Sequence, residues 1–215
     1  MPLEVEQLAL GTFQSNCYVA RRAGADEAVV VDPGWPGETE RIQAALGGAR
    51  CVAILVTHGD LDHIGGVVEL VEATGARVYM PALEWDRLER PGDYIPDGIE
   101  VSLRGHSAEV LLEGEEELDL AGIHFTTLRV PGHTAGHLAF AAEGCVFSGD
   151  VLFAGSVGRT DREGGNWDAL LASIRLLVDR LPPETVVYSG HGPATTLGQE
   201  LTTNPFLAEL RADAP

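Results

Sequence analysis

Four short polar clusters carry residue types that bind metal ions, and each directly follows a run of strand-forming residues. They are Thr57-His58-Gly59-Asp60-Leu61-Asp62-His63, Pro131-Gly132-His133-Thr134, Ser148-Gly149-Asp150 and Ser189-Gly190-His191-Gly192. Neutral imidazoles and carboxylates are ligand types for zinc, iron and manganese. One His after a strand is usually structural, but four such clusters together favour a metal centre.

The spacing within the first cluster can direct ligands toward two adjacent metal ions. Its candidate ligands stand at positions i, i+2, i+4 and i+5, and a carboxylate such as Asp150 can bridge two adjacent ions. Small residues in every cluster let the chain turn sharply. Ligand sites in α/β sheets form at the carboxyl ends of strands, so the clusters are expected to meet there.

The elements that must position these clusters alternate between strand and helix, which predicts a layered α/β fold. Residues 81–110 lack a clear pattern, and such a long irregular stretch is usually functional or mobile. Residues 167–180 show the apolar spacing of an amphipathic helix. The predicted strands are 3–10, 13–20, 28–31, 51–56, 77–80, 123–130, 138–142, 145–148 and 185–188, and the other predicted helices are 38–46 and 67–74.

Composition excludes several classes of function. The 215 residues include 33 acidic and 14 basic side chains, all 14 of them Arg, for a net charge of −19. This charge disfavours nucleic acid and anionic membranes as partners. Three Cys, no long apolar run and no basic leader predict a cytoplasmic protein with reduced thiols. We expect one domain over residues 1–215, and a homo-oligomer is left open.

In their order and spacing these motifs resemble the metallo-β-lactamase fold superfamily. The family pattern T-H-x-H-x-D-H, G-H-T, S-G-D and G-H-G runs along almost the whole chain. Three further segments resemble its glyoxalase II-like (hydroxyacylglutathione hydrolase-like) branch, in the short form without a C-terminal helical domain. They are Ser15-Asn16-Cys17-Tyr18-Val19, Gly158-Arg159-Thr160-Asp161 and Asn204-Pro205-Phe206-Leu207. The resemblance implies a four-layer αββα sandwich with metals at one edge between the sheets.

The resemblance also implies a role for each site residue and two divalent metal ions, zinc by family. Asp62 and Asp150 are the catalytic candidates, and Arg159 stands where the branch places a basic residue that contacts substrate. The implied ligands are His58, Asp60 and His133 for site one, and Asp62, His63 and His191 for site two, with Asp150 bridging.

Asp60 departs from the family, which usually has His at this position. With three carboxylates, two divalent ions and a bridging hydroxide the cluster is formally neutral, whereas His at position 60 would leave it positive by one. A less positive cluster is a weaker Lewis acid, and an added oxygen ligand favours iron or manganese. Alternatively, Asp60 falls short of the metal. His58, His133 and Asp150 would then form the two-His-one-carboxylate set of non-haem iron oxygenases.

These features favour hydrolysis of a 2-hydroxyacyl-glutathione-type thioester by a metal-bound hydroxide. The partner would be a small-molecule thioester, although Asp161 stands where the branch has an aromatic residue, which weakens the glutathione assignment. The alternatives are an iron-dependent persulfide dioxygenase, and a metal-binding member with another ester or lactone substrate or with no activity. Asp32 is expected to serve a turn, and His106, His124 and His137 to be structural or at the surface.

Overall fold

The first of two large sheets is built from the N-terminal half of the chain. The computed structural model describes residues 1–212. The strands lie in chain order across the sheet: β1 (Leu3–Leu10), β2 (Ser15–Arg22), β3 (Glu27–Val31), β4 (Arg50–Leu55), β5 (Arg77–Pro81) and β6 (Val110–Leu112). The pairs from β1 to β3 are antiparallel and those from β3 to β6 are parallel. The crossovers contain helices α1 (Thr39–Leu46), α2 (Leu61–Ile64), α3 (Val67–Thr74) and α4 (Trp85–Glu89).

The second sheet comes from the C-terminal half and also has six strands. Its elements in chain order are β7 (Glu117–Leu120), β8 (Ile123–Arg129), β9 (Leu138–Ala142), β10 (Cys145–Gly149), a hairpin of β11 (Leu152–Phe153) and β12 (Ser156–Val157), α5 (Trp167–Arg180), β13 (Val186–Ser189), β14 (Thr195–Thr196), α6 (Leu197–Thr203) and α7 (Ala208–Ala212). The order across the sheet is β14-β13-β10-β9-β8-β7, and the β10–β13 pair is parallel.

The two sheets pack face to face over an apolar core. Phe125, Phe140 and Phe147 from the second sheet are fully buried and belong to one cluster with residues of the first sheet such as Tyr18 and Leu55. Inward positions alternate along the strands, so each sheet has a second apolar face to cover. The helices cover those outer faces, which completes the four layers.

Each outer layer has its own core. On the first sheet, Ile42 of α1 and Leu70 of α3 pack in one cluster with outward strand residues. On the second sheet, Leu170, Ile174 and Leu177 of α5 do the same, as their helical spacing predicts. The α/β four-layer αββα sandwich expected from the sequence is therefore confirmed.

Differences from the sequence prediction lie in short or irregular segments. Strand β2 begins at Ser15 rather than at residue 13, and β6, β7 and the β11–β12 hairpin were not predicted. Residues 81–110 contain α4 and two short 3-10 helices. The sequence pattern did not predict them, because their conformation depends on contacts with other parts of the fold. Among the described residues, none of the helices combines the length and apolar character of a bilayer-spanning segment. The single domain over residues 1–215 stays a prediction.

The contacts of Phe147 predict a large loss of stability on truncation. Its ring lies 5.4 Å from Tyr18 and 5.2 Å from Tyr188, measured between centroids. Phe147→Ala should lower the free energy of unfolding by about 3–5 kcal/mol, because it opens a cavity between the sheets. Chemical denaturation measures this. Leu111→Ala, at a side chain that is 50% exposed, is the control and should change it by less than about 0.5 kcal/mol. A loss below about 1 kcal/mol for Phe147→Ala would contradict the packing described.

Candidate metal centre

The seven predicted ligands meet at one edge of the sandwich, between the two sheets. His58 and Asp60 lie in the loop after β4, and Asp62 and His63 lie in α2. The others follow three strands of the second sheet: His133 comes after β8, Asp150 after β10 and His191 after β13. Strand ends from both sheets thus supply the site.

Site one consists of His58, Asp60 and His133. The Oδ2 atom of Asp60 lies 3.3 Å from Nε2 of His133 and 4.0 Å from Nε2 of His58. The three candidate ligand atoms all lie within 4.8 Å of one another, a spacing that suits one ion among them. Asp60 therefore reaches the other two candidate ligands and does not fall short of them.

Site two consists of Asp62, His63 and His191, and Asp150 lies between the two sites. The Oδ2 atom of Asp62 is 3.3 Å from Nε2 of His191 and 3.7 Å from Nε2 of His63. Asp150 places Oδ1 3.6 Å from Nε2 of His63, and Oδ2 3.6 Å from Nε2 of both His133 and His191. Its position between members of both sets suits a bridging carboxylate.

Buried polar atoms at the centre of this cluster test whether it fits metal ions. Nε2 of His58, His63 and His133 and Oδ1 of Asp150 have no hydrogen-bond partner among the described residues. Leaving buried polar atoms unsatisfied is costly, and such atoms call for an explanation such as a bound ion. All four point into one space lined by nitrogen and oxygen donors, and the donor set fits divalent transition metals.

Hydrogen bonds at the far side of each ring fix which nitrogen is free. The Thr57 hydroxyl donates to Asp32 at 2.7 Å and so accepts from Nδ1 of His58 at 2.9 Å. Nδ1 of His63 donates to Asp32 at 3.0 Å, and Nδ1 of His133 donates to the carbonyl oxygen of Arg159 at 2.9 Å. In its neutral form each ring therefore presents the lone pair of Nε2, the arrangement that orients metal-binding imidazoles.

The charge environment also prepares these rings for a cation. Burial lowers the pKa of His58 well below its ordinary value, so this ring is neutral, the form that binds a metal. Burial also opposes protonation of His63, but Asp62, Asp150 and Asp32 outweigh it and raise its pKa to about 10. The carboxylates thus favour a positive charge at the centre of the cluster.

The Ser15-to-Val19 motif positions the loop that carries His191. Asn16 donates through Nδ2 to the carbonyl oxygens of Ser189 and Gly192, both at 2.8 Å, and the Tyr18 hydroxyl donates to Ser189 at 2.6 Å. A Cβ at Gly190 would overlap Oδ1 of Asp150. The glycine lets the backbone pass directly beside the bridging carboxylate.

Two residues that support the ligand loops were missed or misread in the sequence. Asp32 was assigned to a turn, but its buried carboxylate bonds Thr57 and His63; its place at the end of a strand, like the ligands, was the available signal. Glu84 accepts from the backbone N–H of Gly59 at 2.5 Å and of Gly136 at 3.0 Å. Glu84 gave no signal, because it lies in the segment without a regular pattern.

The other singled-out residues fall outside the ligand sets. His124 is exposed and ion-paired with Asp119, and His106 is half-buried beside Glu109. His137 is buried, and its Nε2 accepts from the backbone N–H of Asp150 at 3.0 Å, so it supports the bridging residue. The Thr134 hydroxyl donates to Glu84 rather than to a ligand.

A cavity of about 530 Å³ opens onto both ligand sets. Arg159 lines it, but Nε and Nη2 of Arg159 each donate to Asp161 at 2.7 Å, and the Arg159 side chain is 51% exposed. Its charge is therefore paired, and it contacts the ligand set through its backbone. The apolar wall of the cavity is formed by Phe13, Leu61, Tyr94, Ile95, Pro96 and Ile99.

Comparison with known proteins agrees with this geometry. The pattern that defines the metallo-beta-lactamase superfamily matches residues 10–191. A probable metallo-hydrolase, YqgX, of Bacillus subtilis is 37% identical over 206 residues, which covers 94% of this chain and 96% of that protein. The hydroxyacylglutathione hydrolase GloC of Haemophilus influenzae is 34% identical over 217 residues, 95% of this chain and 98% of that protein.

Two solved structures share the whole architecture. The crystal structure of the B3 metallo-beta-lactamase BLEG-1 has a TM-score of 0.88 and 39% identity, and covers 95% of this chain and 100% of that one. TTHA1623 in a di-iron-bound form has a TM-score of 0.80 and 38% identity, and covers 94% of this chain and 100% of that one.

The chain belongs to the metallo-β-lactamase superfamily, as its motifs predicted. It is a metal-dependent hydrolase of that superfamily, and hydroxyacylglutathione hydrolase among its relatives supports the glyoxalase II-like branch.

Asp32 provides a test of how the rings are oriented. Asp32→Asn should weaken metal binding about 10- to 100-fold, since the amide cannot accept from Thr57 and His63 as the carboxylate does. Competition with a chromogenic chelator measures the affinity. Asp119→Asn is the matched control, because it removes an exposed carboxylate that is also bonded to a His and should leave the affinity unchanged. Equal effects from both variants would show that Asp32 has no role in binding.

Proposed function

We propose that this chain hydrolyses a thioester of the 2-hydroxyacyl-glutathione type with two bound divalent metal ions. The observation that carries the proposal is that one cavity is lined both by members of the two ligand sets and by the apolar side chains named above. That cavity is large enough for a small thioester, and the chain-wide similarity to a hydroxyacylglutathione hydrolase supports the choice of substrate.

The metals would be held by the seven residues that meet at the sandwich edge. Bound there, they supply a hydroxide nucleophile at neutral pH and polarise the substrate carbonyl. We take zinc as the resident metal by family. The extra oxygen donor of Asp60 and the di-iron-bound form of TTHA1623 support iron as the alternative. The residues would be His58, Asp60 and His133 at site one, Asp62, His63 and His191 at site two, and Asp150 between them.

Asp62 and Asp150 have distinct roles in the proposed reaction. Despite burial, the charge of His63 and the hydrogen bond with His191 lower the pKa of Asp62 to about 2, so this carboxylate is ionised and can accept a hydrogen bond that orients the attacking water. Asp150 keeps the two ligand sets at a fixed separation, because its carboxylate faces members of both. Its backbone N–H is fixed in turn by His137.

The thiolate leaving group of a thioester needs little acid catalysis from the protein. Addition of hydroxide to the carbonyl carbon and cleavage of the C–S bond release a carboxylic acid and a thiolate, and transfer of the acid proton to the thiolate gives a carboxylate and a thiol. The free thiol has a pKa near 8.5, so no strong general acid is needed. Arg159 and Arg162 line the cavity and are the candidates to meet the carboxylates of the thiol carrier; Arg159 would have to exchange its pairing with Asp161 for the substrate. In this proposal the partner is a small molecule, with no nucleic acid or membrane.

Two other reactions remain as measurable alternatives. A persulfide dioxygenase would use His58, His133 and Asp150 around one iron. The closeness of Asp60 to both imidazoles argues against that reduced set. The similarity to a B3 metallo-beta-lactamase favours a β-lactam as the other hydrolytic substrate.

Metal content and substrate preference can be measured on the same purified protein. We expect two metal ions per chain by elemental analysis and faster hydrolysis of S-lactoylglutathione than of a chromogenic cephalosporin. Removal of metal by a chelator should abolish activity, and added zinc or iron should restore it. One iron per chain with oxygen uptake on glutathione persulfide would overturn the proposal in favour of the oxygenase.

Asp62→Asn tests whether Asp62 orients the attacking water. On protein that elemental analysis shows to hold two metal ions, kcat should fall about 10²- to 10⁴-fold, because the amide lacks the negative charge that holds the water. Asp26→Asn, at an exposed turn, is the control and should retain full activity. A kcat within threefold of the unchanged protein would remove Asp62 from the mechanism.

A further inference from the structure

The two oxygens of Asp60 have different partners. Oδ2 faces the ligand set, at 3.3 Å from Nε2 of His133, whereas Oδ1 lies 3.2 Å from Nη1 of Arg87 and accepts a hydrogen bond from it. Arg162 is more distant, at 3.9 Å from Oδ2. One oxygen of this carboxylate is thus already engaged, and one is available to an ion at site one.

Arg87 is held where it can make this contact. It lies on α4, and its guanidinium stands over the ring of Tyr94, 4.8 Å from the ring centroid. The Tyr94 hydroxyl in turn donates to Asp86. Such stacking suits the planar guanidinium and limits its freedom.

Gly59 is the neighbour of Asp60 in the chain, and it allows the stem of Arg87 to approach. A Cβ at Gly59 would lie only 2.5 Å from Cδ of Arg87 and 2.7 Å from its Cβ. No side chain fits between the ligand loop and α4 at this point. Gly59, Asp60 and Arg87 therefore form one matched set, although the sequence separates Arg87 from the others.

We propose that Arg87 is a positioning residue for site one. By occupying Oδ1, it restricts Asp60 to a single donor oxygen, and its positive charge offsets the extra negative charge that Asp60 brings in place of His.

The charge of the site supports this inference. The formal charges of the seven ligands, two divalent ions and a bridging hydroxide sum to zero. Including Arg87 raises the sum to +1, which is the charge that the cluster would have with His at position 60 and no Arg87. Arg87 thereby preserves the electrophilicity that Asp60 alone would reduce. Because Arg87 and Asp60 together are formally neutral, Asp60 supplies an oxygen donor to site one without adding net negative charge there.

Arg87→Met keeps the length of the stem and removes the charge. We expect it to tighten zinc binding at site one about tenfold, opposite in sign to the loss that removing a supporting partner of a metal ligand usually causes. The freed carboxylate becomes a stronger donor, and a positive neighbour of the ion is lost. A His191→Ala background, which disables site two, isolates the measurement. Chelator competition gives the affinity, and X-ray absorption gives the number of oxygen ligands, which should increase.

A double-mutant cycle with Asp60 separates this role from a purely structural one. In the same background, Asp60→His should weaken zinc binding about tenfold, because the unpaired charge of Arg87 beside the ion then outweighs the preference of zinc for a nitrogen ligand. Adding Arg87→Met should restore the affinity of the starting protein to within about threefold. A structural role for Arg87 would instead make the double variant weaker than either single one.

Arg90→Met is the matched control. Arg90 follows α4 and pairs with Asp86 and Asp93, so its loss changes the net charge equally without touching Asp60. It should leave zinc affinity unchanged. Unchanged or weaker zinc binding in Arg87→Met, or tighter binding in Asp60→His alone, would overturn the proposal. These measurements need no substrate, so they stand whether or not the chain hydrolyses thioesters.

Discussion

One buried carboxylate, Asp32, determines how the first ligand loop faces the site. It accepts from the backbone N–H and the hydroxyl of Thr57 and from Nδ1 of His63. Through Thr57 it also sets the tautomer of His58, so one residue orients a ring in each metal site. Its φ of +49° is costly for a residue other than glycine. The surrounding bonds hold that conformation, and through it the loop between β4 and α2.

Charge is the second constraint on this edge of the sandwich. Asp60, Asp62 and Asp150 lie together among mostly buried imidazoles, where like charges repel and solvation by water is reduced. Cations relieve that repulsion, and divalent ions and Arg87 would supply them. The chain contains no Lys, so its cationic side chains other than His are all Arg. The planar guanidinium of Arg87 donates to one oxygen of Asp60 and stacks on Tyr94, whereas a lysine ammonium group would act as a point charge.

The sequence brought the candidate ligands together because each cluster follows an apolar run that becomes a strand, and strand ends of two packed sheets meet at one edge. His133 and His191 could be paired with His58 in this way although they lie far away along the chain. The family resemblance supplied the grouping into two sites. Asp32 was predicted to be a turn residue, because the sequence Asp32-Pro33-Gly34 is typical of a turn. The same sequence is also compatible with a buried carboxylate at the end of a strand, which is what the structure has.

Residues 81–110 could not be interpreted from local pattern, because their conformation is set by what they contact. Glu84 bonds the ligand loops after β4 and after β8, Arg87 contacts Asp60, and Ile95 and Ile99 form part of the cavity wall. One irregular segment therefore contacts the ligand loops and lines the cavity. Tyr94 belongs to the cavity wall and stacks on Arg87, so a substitution that moves Tyr94 also changes the contact between Arg87 and Asp60. Under the two proposals made above, substrate range and metal preference are coupled through this segment, which lies outside every ligand motif.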